Sequence, residues 1–349
     1  MRVSQTIAIR CILGSLLSLL AVACVGAEAA SELRSPIAIQ LSFDRPLDAS
    51  MAPFVLASVS GLFSLEGLAV TTNIAGSSPD AIARVANGVS EFALVDINAL
   101  IRFRDTPRAP PVKAVFMLFN QSPYAIIARK SRGIHALSDI EGKTLGVAEG
   151  DLAIRLWPAL ARQNGIRPST VRLNKIGAAV REPMLSAGQV DAVTGFSYLS
   201  GVNLRDRGVP ADDLAVLRYA DYGCEAYGFA VIVNPAFAAA RPEAVKGFVR
   251  AAIAGTHLTI KEPGRAADEV VRRIEDGSRE LELARLRTVI ADNILTGEVE
   301  RNGLGGIDPA RFERSINEIA EDFKLQKRPS AADIFDDSFL PPLSGRLIN

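Results

Sequence analysis

Apolar and polar positions along the chain follow two alternating rhythms. Residues 37–43 alternate at the two-residue period of a half-buried strand, and 53–62 then form an apolar stretch of helical length that closes on Gly61. The same succession recurs. Strands are predicted over 69–74, 92–95, 112–118 and 124–128, with helices over 79–87 and 97–103. Beyond Gly133 further strands are expected at 144–148, 171–175, 192–194, 216–218 and 230–233, with helices at 152–164, 180–187 and 242–261. Such a βαβα rhythm predicts mostly parallel sheets with helices on both faces. The last third turns helical, at 267–276, 280–295 and 308–323. Asp308-Pro309 reads as a cap followed by a first-turn proline, and Phe312, Ile316, Ile319 and Phe323 share one face that packs back on the first half of the chain.

One passage, 133–150, brings pattern and chemistry together. Ile134, Leu137 and Ile140 recur at helical spacing, Gly142-Lys143 breaks the period, and the buried run 144–148 ends at Glu149-Gly150-Asp151. In open α/β sheets ligands bind beyond the carboxyl ends of the strands, so Glu149 and Asp151 become candidates. Two acids on one loop also suit a solvated turn or a helix cap.

The beginning of the chain changes the compartment. Arg2 and Arg10 precede the apolar run 11–25, and Ala27-Glu28-Ala29 offers a small-residue cleavage site, so 1–29 reads as a secretory signal peptide and the protein as exported to the periplasm. Cys24 raises a lipid anchor as the less favoured alternative, because Ala21 stands where a lipobox carries Leu. Without the leader only Cys224 of the three cysteines remains, which leaves no pair for an internal disulfide. The 349 residues suit two lobes, and 39 basic against 39 acidic residues argue against a nucleic-acid partner.

The two histidines, His135 and His257, stand in no metal-binding pattern, and no P-loop, nucleophile elbow or dinucleotide fingerprint occurs. No catalytic residue, metal site or cofactor is therefore assigned. Four segments instead look ligand-facing. The end of the first strand carries Phe43 and Asp44. Gly76-Ser77-Ser78-Pro79-Asp80 opens a helix, where free N–H groups suit an anionic or carbonyl group or simply a cap. Asp96 follows the run 92–95. Residues 219–228 place three tyrosines among two acids, including Asp221 and Tyr222, and read either as a ring-stacking loop or as a hinge strand with core tyrosines. Trp157 lies on the helix after Asp151, as a core residue or a ligand wall. Arg181 either clamps an anion or pairs locally with Glu182.

Several of these segments resemble one family in order and spacing. Pro-Phe-Val-Leu-Ala-Ser-Val-Ser-Gly-Leu-Phe at 53–63 and Glu-Gly-Leu-Ala-Val at 66–70, then 83–88 with 91–96, Gly-Ile-His-Ala-Leu-Ser-Asp-Ile-Glu-Gly-Lys at 133–143 and Leu-Ser-Ala-Gly-Gln-Val-Asp-Ala at 185–192, are similar to blocks of the periplasmic substrate-binding proteins for nitrate, sulfonates, taurine and thiamine-pyrimidine precursors. The likeness runs over about 37–339. It implies a type II periplasmic-binding-protein fold of the α/β class, with mixed, mostly parallel sheets and flanking helices. Lobe I would hold 36–124 plus 230–349 and lobe II 125–229, joined by two crossover strands. It also implies a monomer that closes on one small-molecule ligand and delivers it to an ABC permease at the inner membrane.

Residues 219–223 resemble the branch with pyrimidine or riboflavin-type cargo. The pyrimidine-synthase relatives carry a Trp after the first strand, a Cys-rich cluster and a dedicated His, whereas this chain reads Phe43-Asp44-Arg45 and has neither of the other features. The expected ligand contacts are Phe43, Asp44, Ser77, Ser78, Asp96, Glu149, Asp151, Trp157, Arg181, Phe196, Tyr198, Asp221 and Tyr222. Acids outnumber bases in this set, which points to a neutral or amine-bearing ring compound. The competing readings are a pyrimidine-synthase-like enzyme and a ligand sensor for a membrane receptor.

Overall fold

Ten strands form two five-stranded sheets in the computed structural model, which describes residues 35–148 and 150–348. The segment read as a leader, Cys24 and Glu149 lie outside the described residues. The first sheet has the order β2-β1-β3-β10-β4, built from β1 (Ile37–Phe43), β2 (Leu68–Ile74), β3 (Phe92–Asp96), β4 (Lys113–Met117) and β10 (Phe229–Val233). The second has the order β7-β6-β8-β5-β9, built from β5 (Tyr124–Arg129), β6 (Thr144–Ala148), β7 (Arg172–Ile176), β8 (Ala192–Phe196) and β9 (Leu214–Arg218).

Strand positions follow the hydrophobic pattern to within a residue or two. Direction does not, because a fully buried apolar run reads the same both ways. β1 runs parallel to β3, and β6 parallel to β7 and β8. β10 is antiparallel to β3 and β4, and β5 antiparallel to β8 and β9. The reversed strand in each sheet is the one that follows a crossing between the sheets. Tyr124, which opens β5, lies opposite Phe196 at the end of β8, and Phe229, which opens β10, lies opposite Asp96 at the end of β3. A chain that arrives at the edge where the parallel strands end has to run back along the sheet.

The two crossings, 118–123 and 219–228, bond to each other. The Ser122 N–H donates to the Ala226 carbonyl at 3.1 Å and the Gly228 N–H to the Phe119 carbonyl at 3.0 Å. Gly228 is required by this approach, since a Cβ there would lie 2.8 Å from that of Phe119.

Helices open where the caps predict. Ser77 and Asp151 accept from the N–H groups of Asp80 and Ala153 at the starts of Ser78–Ala86 and Leu152–Gln163. The second helix buries Ala153, Leu156, Trp157, Leu160 and Ala161. Asp308 caps Pro309–Asp322, whose Phe312, Ile316 and Ile319 are buried and which packs on Ile97–Phe103 and also on Leu152–Gln163. Ile134, Leu137 and Ile140 anchor a short 3-10 turn by burial. Helix Ser197–Asp206 is among those with no counterpart in the sequence reading, because Gly201 and the polar residues around it blur the helical period. The expected helix at 280–295 divides into Arg279–Val289 and a π-helical turn Ile290–Ile294. Among the described residues no helix is long and apolar enough to cross a membrane.

Candidate functional site

The parallel strands of both sheets end around one cavity of about 400 Å³, within the size range of small-ligand sites. Its wall on the first sheet comes from Asp44 and Arg45 after β1, Ser77 and Ser78 after β2, and Asp96 at the end of β3. Gly150, Asp151 and Leu152 after β6, Arg181 beyond β7 and Phe196 at the end of β8 supply the opposite side. Tyr124 and Phe229, the first residues of the reversed strands, complete the lining. Reversing β5 and β10 therefore places two aromatic rings at the floor where strand ends would otherwise leave open backbone.

Asp96 is the centre of the first wall and is 5% exposed. One oxygen accepts from the N–H and the side-chain amide of Asn98, each at 2.9 Å, and the other accepts from the Tyr124 hydroxyl. Asn98 also donates to the Tyr227 carbonyl at 2.8 Å, which ties Asp96 to the second crossing. Burial pushes the Asp96 carboxyl up to about 6 against the lowering effect of these bonds, and burial followed by the Asp96 charge raises Tyr124 well above an ordinary phenol. Ser78 extends the network, with its hydroxyl accepting from the Asp96 N–H at 3.1 Å and donating to Asp44 at 2.5 Å.

Two aspartates of the lining, Asp44 and Asp151, are held in ion pairs. Arg45 reaches Asp44 at 2.6 Å and Asp48 at 3.4 Å, donates to Ser50 at 2.8 Å and Tyr198 at 3.4 Å, and lies 3.9 Å over the Phe229 ring. Arg181 donates to Asp151 at 2.8 Å, Thr194 donates to the same oxygen at 2.6 Å, and the Arg181 Nε is buried without an acceptor. Asp151 is thus both helix cap and anchor of Arg181. Arg102, the third arginine of the lining, lies 4.3 Å over Phe323. Burial, and then Arg155, lower its pKa. Phe196 stacks on Tyr198 at 5.9 Å and meets Phe229 edge-on at 5.7 Å, forming an aromatic face.

Of the residues singled out from the sequence, Asp44, Ser77, Ser78, Asp96, Asp151, Arg181 and Phe196 line the cavity together. Phe43, Trp157, Tyr198, Asp221 and Tyr222 do not line it, and Glu149 lies outside the described residues. Phe43 packs on Phe54 in the core, and Trp157 is 1% exposed within the main apolar cluster. Tyr198 lies behind Phe196 and supports it. Asp221 pairs with Arg218 by two bonds of 2.8 Å on the second crossing, with Tyr222 beside it, so the tyrosine-rich segment takes its hinge-strand reading. Arg45, Arg102, Tyr124 and Phe229 are the lining residues that pattern reading passed over, since each becomes a site residue only through sheet pairing or helix packing. They add two arginines to the charge count. Among the described residues the lining holds three aspartates and three arginines. No His or Cys is among the lining residues, and no cluster of potential metal ligands occurs among the described residues.

Residues 48–266 match the sequence profile of the family described as NMT1/THI5 like. The chain is 27% identical to the riboflavin-binding protein RibY of Chloroflexus aurantiacus over 83% of its length and 82% of the relative's. It is 26% identical to the 4-amino-5-hydroxymethyl-2-methylpyrimidine phosphate synthase of Legionella pneumophila, over 68% and 73% of the two chains. Among solved structures, the periplasmic aliphatic sulphonate binding protein SsuA of Escherichia coli shares the fold, with a TM-score of 0.68 at 12% identity over 86% of this chain and 92% of that one.

Proposed function

The chain belongs to the NMT1/THI5-like family, and from that premise we propose that it is an exported, periplasmic solute-binding protein that hands a small ligand to an ABC permease at the inner membrane. The cavity carries this reading. It draws on the strand ends of both sheets and offers an aromatic face beside paired charges, and its described lining residues include no histidine or thiol. Residues 36–124 with 230–349 form one lobe, 125–229 form the other, and the paired crossings serve as the hinge. A ligand that touches Ser78 and Asp96 on one side and Arg181 and Phe196 on the other binds the closed arrangement better than the open one. That difference is what shifts the population.

The ligand is a flat nitrogen heterocycle without strong net charge. Asp44 and Asp151 neutralise Arg45 and Arg181, so the polar rim is one of matched donors and acceptors and the aromatic face supplies stacking area. RibY, by name a riboflavin-binding protein, supports this class. Calorimetry of the mature protein against riboflavin, an aminopyrimidine and taurine tests it. A ring compound is expected to bind with 1:1 stoichiometry, and tight binding of taurine with none of either ring compound would overturn the reading. The name of the Legionella relative favours a synthase as the second reading. That reading requires a metal or histidine centre, and stoichiometric metal found in the purified protein by metal analysis would favour it.

A further inference from the structure

A second concave site shares no lining residue with the cleft. It is a cavity of about 260 Å³ between the segment after helix Ile97–Phe103 and the segment after helix Pro309–Asp322. Its charged lining is Arg104, Arg108, Lys327 and Arg328 against the single carboxylate of Asp333. In a chain with 39 bases and 39 acids, four cations to one anion is a local imbalance that the sequence average does not provide.

Internal pairing does not relieve it. Asp333 is occupied, accepting from the Ser330 N–H at 2.9 Å and the Ser330 hydroxyl at 2.7 Å. Those bonds, together with the more distant Arg104 and Lys113 charges, hold its carboxyl below the ordinary range. Arg328 reaches Glu321 at 3.6 Å in an exposed pair of the kind that contributes little. Ion pairs among the described residues include none to Arg104, Arg108 or Lys327. Arg104 gives one terminal nitrogen to the Pro110 carbonyl at 2.8 Å, and its Nε is buried without an acceptor.

The backbone that carries the cations is also held in place, while Arg108, Lys327 and Arg328 themselves are exposed. The Lys327 N–H donates to Asp105 at 2.6 Å, which fastens the two segments together across the cavity. Arg108 sits at φ 59°, a left-handed backbone state that costs a residue with a side chain. Like charges brought together at such a cost, with an unused guanidinium N–H among them, offer a ready seat for a counter-charge from outside.

We propose that this cavity is an anion site for a phosphate group, either free or on an anionic lipid headgroup. A tetrahedral oxyanion has enough acceptor oxygens to serve two guanidinium forks and an ammonium at once. The site does not depend on the ligand of the cleft.

Two titrations test it on the full mature protein at fixed chloride. In the first, inorganic phosphate is followed by phosphorus NMR and calorimetry. Saturable binding to one site is expected. The variant combining Arg108→Gly, which also relieves the backbone, with Arg328→Gln should weaken it at least ten-fold while the circular-dichroism melt stays cooperative. Arg102→Gln, in the cleft, should leave it unchanged. In the second, the protein is floated with phosphatidylcholine vesicles that contain or lack phosphatidylglycerol. Retention only by the anionic vesicles, lost in the double variant, assigns a lipid headgroup. Phosphate binding without retention assigns a soluble phosphate. Absence of both, an unchanged double variant, or loss of phosphate binding in Arg102→Gln would overturn the proposal.

Discussion

Asp96→Asn isolates the electrostatic cost built into the cleft. The carboxyl is 5% exposed and burial raises its pKa from 3.8 to about 6. The unfolded chain therefore releases this proton near the ordinary value and the folded chain only near pH 6. Between the two, the folded state holds more protons, so its stability falls as pH rises, and above about pH 6 the full cost is carried. A shift of roughly two units corresponds to about 3 kcal/mol. The substitution keeps an oxygen for the two Asn98 donors, and the Tyr124 hydroxyl can turn to accept from the new amide. Urea unfolding of ligand-free wild type and variant, followed by the fluorescence of the single Trp157 in steps between about pH 4 and 7, measures the difference in stability. That difference should move in favour of the variant by about 3 kcal/mol across the range, with most of the change below pH 6. Tyr124→Phe removes a bond that lowers the Asp96 pKa and should move the wild-type transition to higher pH. A difference that stays constant with pH would refute the reasoning, because it would mean that Asp96 ionises alike in both states.

Other expectations follow from packing and from the lobe contacts. A Cβ at Gly255 would lie 2.2 Å from the Pro53 carbonyl oxygen and 2.9 Å from the Ala57 Cβ, where helix Pro242–Lys261 crosses Ala52–Val59. Gly255→Ala should therefore cost about 1–3 kcal/mol in thermal unfolding, and an unchanged midpoint would show that the helices separate freely. Arg285 pairs with buried Glu282 and donates to Asn203 at 2.6 Å, linking helix Arg279–Val289 to helix Ser197–Asp206. If the hinge reading holds, Asn203→Ala removes a contact of the closed state worth about 1.5 kcal/mol. It should weaken the apparent ligand affinity by up to about ten-fold in a protein that is mostly open without ligand, or expand a mostly closed one in small-angle scattering. Unaltered affinity and dimensions would place that contact outside the closing motion.

The legible part of the site is the part set by local chemistry. Ser77, Asp96 and Asp151 announce themselves because small polar or acidic residues before a helix cap its free N–H groups, and a helix that follows a strand opens at the ligand edge of the sheet. Trp157 and Tyr198 mislead for a related reason. Each lies close in sequence to a site loop, yet the helical period turns its side chain toward the core. Arg45 stood in a quoted segment but gained its role only where Tyr198 and Phe229, distant in sequence, closed over it.

By itself, the order of apolar runs and caps along the chain determined ten strands, most helices and their βαβα succession, because burial period and capping are properties of neighbouring residues. Only the tertiary structure decided that β5 and β10 run backwards and that the two crossings pair. It also decided that three arginines face three aspartates among the described residues of the cavity, and that residues 104–109 and 327–333 share one basic hollow. Those features depend on which segments meet across the fold, and pairing between buried strands of similar composition leaves no trace in either strand alone.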